Sequence, residues 1–168
     1  MKPIELQIAD LTPQLRRYAR VLMRGDVLQA DDLVQDCIER GLQRSGLWQR
    51  GTNLRAWLFT IMHNLYVNQV RWHANGPSFV ALDETEADDH NRADTDVVVN
   101  DIQQALNELP CDQREILLFV SIEGMKYQDV AKILDIPEGT VMSRLARGRK
   151  QLRARLAGEK IQTLRRIK

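Results

Sequence analysis

The stretch Tyr127–Leu156, YQDVAKILDIPEGTVMSRLARGRKQLRARL, decides the fold, because it reads as two helices joined by a tight turn. Val130, Ala131 and Leu134 fall on one face of the first helix. Ile136 and Pro137 are expected to stop it, since proline has no N–H to donate and disfavours a helical residue before it. Gly139 and Thr140 restart the chain, and the Thr140 hydroxyl is expected to cap the next helix. Val141, Leu145 and Leu152 give that second helix an apolar stripe. Its other faces carry Ser143, Arg144, Arg147, Arg149, Lys150, Arg153 and Arg155. A short helix, a turn and a longer basic helix is the build of a helix-turn-helix, whose second helix enters the major groove. A solvated helix closing a bundle is the competing reading. Such a helix mixes charge signs to gain i,i+4 pairs, and here no Asp or Glu occurs from Gly139 to Gly158. The pattern therefore favours DNA, with Thr140, Ser143, Arg144, Arg147, Arg149 and Lys150 as the candidate contacts.

Working outward, 168 residues suffice for one ordinary domain or two small ones. With 43% hydrophobic and 28% charged residues the chain has a globular composition, which argues against wholesale disorder. The net charge of +1 conceals an asymmetry. From Asp83 to Asp96 there are seven acidic residues against one arginine, and from Gly139 to Lys168 ten Lys and Arg against Glu159. Segregation of this kind points to nucleic acid more than the overall charge does. Cys37 and Cys111 are isolated, without metal-ligand spacing, and His63, His73 and His90 do not cluster with them. Packing thiols in a reducing compartment are expected, with no metal and no cofactor; whether either thiol has a redox role is open. The opening MKPIELQIAD has no apolar signal core and no window approaches a membrane span, so a cytoplasmic location is expected.

Upstream, Thr12-Pro13 reads as a cap followed by a first-turn proline, opening a helix with Leu15, Tyr18, Ala19 and Leu22 on one face and Gly25 at its end. Asp31 and Asp32 favour the start of the next helix, whose buried face is Val34, Cys37, Ile38, Gly41 and Leu42. Leu47–Asn53 reads as a loop. A long helix then runs from Leu54 to about His73 on a core stripe of Leu54, Trp57, Leu58, Ile61 and Leu65. His63, Asn64, Asn68, Gln69, Arg71, Trp72 and His73 crowd its end with amides, a cation and aromatic rings. This is either a solvated helix end or a surface for unstacked bases, which need a stacking platform and edge partners. Asn75-Gly76-Pro77-Ser78 breaks the helix, and Phe79 to about Val97 is acidic and aperiodic, as a linker between independently folding halves would be. Beyond it Val99, Ile102, Ala105, Leu106 and Leu109 form a helical face, and Pro110 separates this helix from Asp112–Glu123, which Gly124 ends. The expectation is an all-α chain of two small helical domains, 1–76 and 99–168, joined by a flexible linker, 77–98, with the helix-turn-helix in the second.

Three segments together resemble the extracytoplasmic-function group of bacterial RNA polymerase sigma factors. ADDLVQDCIERGL (Ala30–Leu42) resembles the segment that binds the polymerase β′ clamp. NLRAWLFTIMHNLYVNQVRW (Asn53–Trp72) resembles the segment that melts and reads the −10 element. Leu106–Leu152, with LPCDQREILL, YQDVAKIL and GTVMSRLARGR, resembles the domain that reads the −35 element. The likeness covers nearly the whole chain; Leu47–Thr52, LWQRGT, departs from the turn common in the group. It implies a promoter-recognition subunit that is not an enzyme. Its partners would be core polymerase, at the β′ clamp and β flap, promoter DNA and an anti-sigma factor, with no membrane insertion of its own. It further implies that Asp32, Leu33, Asp36 and Glu39 meet the polymerase and that Trp48, Asn53, Asn64, Asn68, Arg71 and Trp72 meet the −10 element. Two other functions compete. A stand-alone helix-turn-helix regulator needs neither Ala30–Leu42 nor Asn53–Trp72 and usually dimerises on paired half-sites. A decoy that only titrates an anti-sigma factor has no need of the basic second helix. No nucleophile–base pair, phosphate-binding glycine loop or catalytic residue is visible.

Overall fold

The structure, a computed structural model, describes residues 2–75 and 96–158. The acidic stretch read as a linker lies almost wholly outside them. Among the described residues every regular element is helical: α1 (Ile4–Leu22), α2 (Val27–Gln43), α3 (Leu54–Asn75), α4 (Asp96–Asn107), α5 (Cys111–Leu117), α6 (Tyr127–Leu134) and α7 (Glu138–Leu156). A 3₁₀ turn at Ser45–Leu47 follows α2, and a π turn at Leu118–Ile122 carries α5 towards α6. The chain is all-α, as its periodicities require.

Several helix ends differ from the sequence reading. Helix α1 does not open at Thr12-Pro13 but at Ile4, and holds Pro13 inside it. The apolar spacing of Ile4, Ile8, Leu11 and Leu15 continues through the proline, which faces solvent, while Thr12 Oγ1 donates to the Ile8 carbonyl at 3.2 Å. Helix α2 begins at Val27, ahead of Asp31 and Asp32, because Asp26 caps it by accepting from the Gln29 N–H at 3.1 Å. The first helix of the helix-turn-helix is closed by Asp135, in the left-handed region at φ 52°, before Pro137 is reached. Helix α7 then starts at Glu138 behind Pro137, so Thr140 lies inside its first turn and does not cap it. Helix α4 begins at Asp96, ahead of Val99.

The buried faces of α1, α2 and α3 pack together through Leu15, Ala19, Leu22, Leu33, Val34, Cys37, Leu58 and Leu65. Leu33, expected among the exposed polymerase contacts, is 0% exposed, whereas Leu42, expected in the core, is 39% exposed. The inward face of α2 is thus rotated from the predicted one. Leu33 lies one turn before Cys37 and two before Gly41, whose missing side chain lets Leu58 approach; a Cβ on Gly41 would stand 2.9 Å from Leu58 Cδ2.

Helix α3 carries a second buried face that the sequence reading did not assign. Phe59 and Met62 are fully buried and Tyr66 is half-buried, at spacings of three and four residues. This face meets the C-terminal half. Phe59, Tyr18 and Phe119 form an aromatic cluster with ring centroids 4.7–5.2 Å apart. The two halves therefore share one continuous core rather than standing apart.

Polar groups close the same junction. The buried Glu115 carboxylate of α5 accepts from the Tyr18 hydroxyl at 2.8 Å, and His63 Nδ1 of α3 lies 2.8 Å from the same oxygen. Glu123, also buried, accepts from Arg17 Nε at 2.7 Å, and its backbone carbonyl accepts from Arg55 Nη1 at 3.2 Å. Asn107 Nδ2 donates to the Arg24 carbonyl at 3.2 Å. Burial, reinforced by the Glu115 charge, holds the Tyr18 phenol well above its ordinary pKa, so Tyr18 stays a donor.

Two predictions follow from this packing. Removing the Glu115 carboxylate with Glu115→Ala leaves the buried Tyr18 hydroxyl and His63 without their shared partner, at roughly 1–3 kcal/mol for each group. Denaturant unfolding should show the loss, and limited proteolysis between the halves should accelerate; an unchanged midpoint and digestion rate would show that Glu115 does not hold the halves together. Burial pushes the Cys37 thiol from 9.0 to about 12. Its folded pKa lies above the unfolded one, so this contribution to stability is complete below pH 9 and is lost as pH rises towards 12. At pH 9 alkylation followed by mass spectrometry should find Cys37 unmodified in native protein and modified once it is unfolded.

Candidate nucleic-acid interface

Helices α6 and α7 pack through Val130, Ile133, Leu134, Val141 and Leu145, all buried. This fixes which side of α7 is free. Met142, Ser143, Ala146, Arg147, Arg149, Lys150 and Arg153 are exposed, so most of the expected duplex contacts share a solvent-facing surface. Three of the residues are placed differently from that expectation. Thr140 is only half-exposed. Ser143 turns its hydroxyl back and donates to the Thr140 carbonyl at 3.1 Å, which leaves its oxygen lone pairs as the outward function. Arg144 leans towards α5, with Nε 3.3 Å from Asp112 Oδ2. Arg155, further along, pairs with Glu108, just past the end of α4. Met142, unassigned in the sequence, is 49% exposed on the same surface, and an apolar side chain there can meet a thymine methyl.

The second candidate surface runs along α3. Asn53 accepts from the Ala56 N–H at 3.1 Å and so caps the helix. At 3.6 residues per turn, Asn53, Trp57, Asn64, Asn68 and Arg71 follow one face. Asn64, Asn68, Arg71 and Trp72 are exposed, and Trp72, 70% exposed, stands edge-on to His73 at 5.2 Å. These four occupy the last turns of α3. Asn53 lies about 16 Å away from Asn64 along the axis, at about 1.5 Å per residue, so the two ends are one face but not one pocket. Trp48 is half-buried, with its indole N–H buried and without a hydrogen-bond acceptor. His63 belongs to neither surface, since it points to Glu115.

A third surface is acidic. Asp32, Asp36 and Glu39 are exposed on one face of α2, and Glu39 accepts from Gln35 Nε2 at 3.1 Å. Beside them Val27 and Leu28 are 50% and 79% exposed. Among the described residues no three His, Cys, Asp or Glu side chains are grouped to hold a metal ion, and no helix is long and apolar enough to cross a membrane.

Both halves of the chain resemble known proteins. The family model described as "Sigma-70, region 4" matches residues 100–152, and "Sigma2 domain of PhyR" matches residues 8–63. An ECF RNA polymerase sigma factor, EcfG of Rhodopseudomonas palustris, is 36% identical over 158 residues, 89% of this chain and 82% of its own length. SigM of Mycobacterium tuberculosis, another ECF sigma factor, is 33% identical over 146 residues, 86% of this chain and 72% of its own length. Among solved structures, the sigma factor RpoE of Bartonella quintana in complex with the anti-sigma factor NepR superposes with a TM-score of 0.75 at 29% identity, covering 95% of this chain and 100% of that one. With motif, fold and relatives in agreement across both halves, the chain belongs to the extracytoplasmic-function RNA polymerase sigma factors.

Proposed function

We propose that this sigma factor directs core polymerase to promoters by reading a −35 duplex with α7 and opening and reading a −10 element with the outer face of α3. The observation that carries the reading is the exposed, single-signed charge of α7, with Arg147, Arg149 and Lys150 spread around its solvent side, set on a helix-turn-helix and joined in one chain to a second surface of amides, arginine and tryptophan. A duplex is read by donors reaching base edges, and an opened strand by stacking and edge contacts, so two different surfaces suit two different forms of DNA. The units 1–76 and 99–168, with 77–98 between them, would serve as the −10 and −35 modules. In this reading Asp32, Asp36 and Glu39 are offered to the polymerase clamp, and buried Leu33 supports them from below. An anti-sigma factor is the expected regulator, because the RpoE structure of similar fold was solved with one. The protein would work in the cytoplasm and catalyse no reaction of its own.

A stand-alone regulator is the alternative, and polymerase dependence separates the two. Run-off transcription on a promoter library should require both this protein and core polymerase; sequence-specific repression or activation without any change in promoter choice would favour the alternative.

Two substitutions test the surfaces. Asp36→Lys reverses charge on an exposed position, so the fold should survive while core affinity falls, by roughly 1 kcal/mol or more, as read by fluorescence anisotropy. Equal affinity in a folded variant would remove α2 from the polymerase contact. Asn64→Ala should leave core binding intact yet lower open-complex formation on duplex promoter and binding to single-stranded −10 DNA, by roughly 1–3 kcal/mol for a lost bidentate base contact. Wild-type melting by this variant would sink the assignment.

A further inference from the structure

We propose that Asp112, in the first turn of α5, is a positioning residue that aims the Arg144 guanidinium at a base edge and so sets specificity at one base pair of the −35 element. The proposal rests on the reading of α7 as the groove helix. Its own evidence is the contact between α5 and α7. Asp112 Oδ1 accepts from the Gln113 backbone N–H at 2.9 Å, which orients the carboxylate and leaves Oδ2 facing Arg144 Nε at 3.3 Å. The pair is half-enclosed, with the Arg144 side chain 32% exposed. One turn further along α7 the buried Gly148 brings the two helices together, since a Cβ there would lie 3.3 Å from Leu117 Cδ1 and 3.4 Å from Gln113 Cβ. Gly148 thus sets the spacing at which Asp112 can reach Arg144.

The chemistry follows from the shape of the guanidinium. Its side edge, at Nε, is occupied by Asp112. The two Nη groups remain for end-on, bidentate donation, the geometry that guanine O6 and N7 accept. An arginine without this tether has a long flexible stem and can swing to a phosphate. The Asp112 charge also repels phosphates, so it opposes sequence-independent binding while it organises the specific contact. Asp112 should therefore have effects of opposite sign on cognate and random DNA, which a purely structural role would not produce.

The test uses the full chain with core polymerase and a promoter library randomised across the −35 duplex. Wild type, Asp112→Ala, Asp112→Asn, Arg144→Ala and the double variant are compared by selection and then by affinity for the selected and a scrambled duplex. For Asp112→Ala we expect relaxed choice at a single base pair and roughly tenfold weaker binding to the selected duplex. Binding to the scrambled duplex should be tighter, and the salt dependence should steepen by about one phosphate contact, a slope of about 0.9. In base selection Asp112→Asn, which keeps an acceptor for Nε, should fall between Ala and wild type, and the double variant should match Arg144→Ala. Parallel losses on both duplexes, or an unchanged selection with Asp112→Ala while Arg144→Ala relaxes one position, would overturn the positioning role alone. An unchanged selection with Arg144→Ala would remove Arg144 from base reading and the proposal with it.

Discussion

The structure depends on a buried carboxylate. Glu115 sits at the junction of the two halves, and its charge is tolerated because Tyr18 and His63 of the other half stand within hydrogen-bond distance of one oxygen. An ionised carboxylate without such partners would be strongly disfavoured inside the protein. The same logic holds for Glu123, whose carboxylate accepts from Arg17 and lies 3.7 Å from Arg55 Nη1. Each half therefore completes the other. The aromatic contact of Tyr18, Phe59 and Phe119 adds apolar burial, but the carboxylates fix the register, since hydrogen bonds are directional where apolar packing is not.

The helices and the helix-turn-helix were legible because their information is local. Apolar spacing of three and four residues identifies a helix wherever it packs, and a run of arginine without acid marks a face that meets an anion. Helix ends were less legible. Pro13 looked like a first-turn residue, yet the stripe through Ile4 and Ile8 carried the helix past it. Asp26 capped α2 while Asp31 and Asp32 offered a stronger charge signal one turn later.

The junction was the part least open to reading from sequence. Phe59, Met62 and Tyr66 form a stripe as regular as the first, and two stripes on one helix announce two neighbours without naming them. Arg114 and Glu115 stand side by side in a motif otherwise typical of a solvated helix, yet both are buried, and nothing in their spacing points to partners on α1 and α3, 97 residues away from Glu115 in the case of Tyr18. The candidate surface was legible to the level of exposure and not of the atom. Arg147, Arg149 and Lys150 are exposed, whereas Arg144 is drawn into an ion pair with Asp112 and Ser143 donates to the Thr140 carbonyl, neither of which a linear pattern reveals.

The contact between the halves has a consequence for geometry. Elements named for positions −10 and −35 lie about 25 base pairs apart, or about 85 Å at about 3.4 Å per pair. Helix α3 is about 33 Å long at about 1.5 Å per residue, and it touches the C-terminal half directly. On the proposed reading, in which each half takes one element, the contact of Tyr18 with Glu115 would have to open before both elements are engaged. Anything that binds a parted form must first work against the joined one, and its apparent Kd is its intrinsic Kd divided by the fraction of molecules already parted. On that reading the strength of one buried carboxylate network would set a threshold on how much free polymerase is needed before a promoter is engaged.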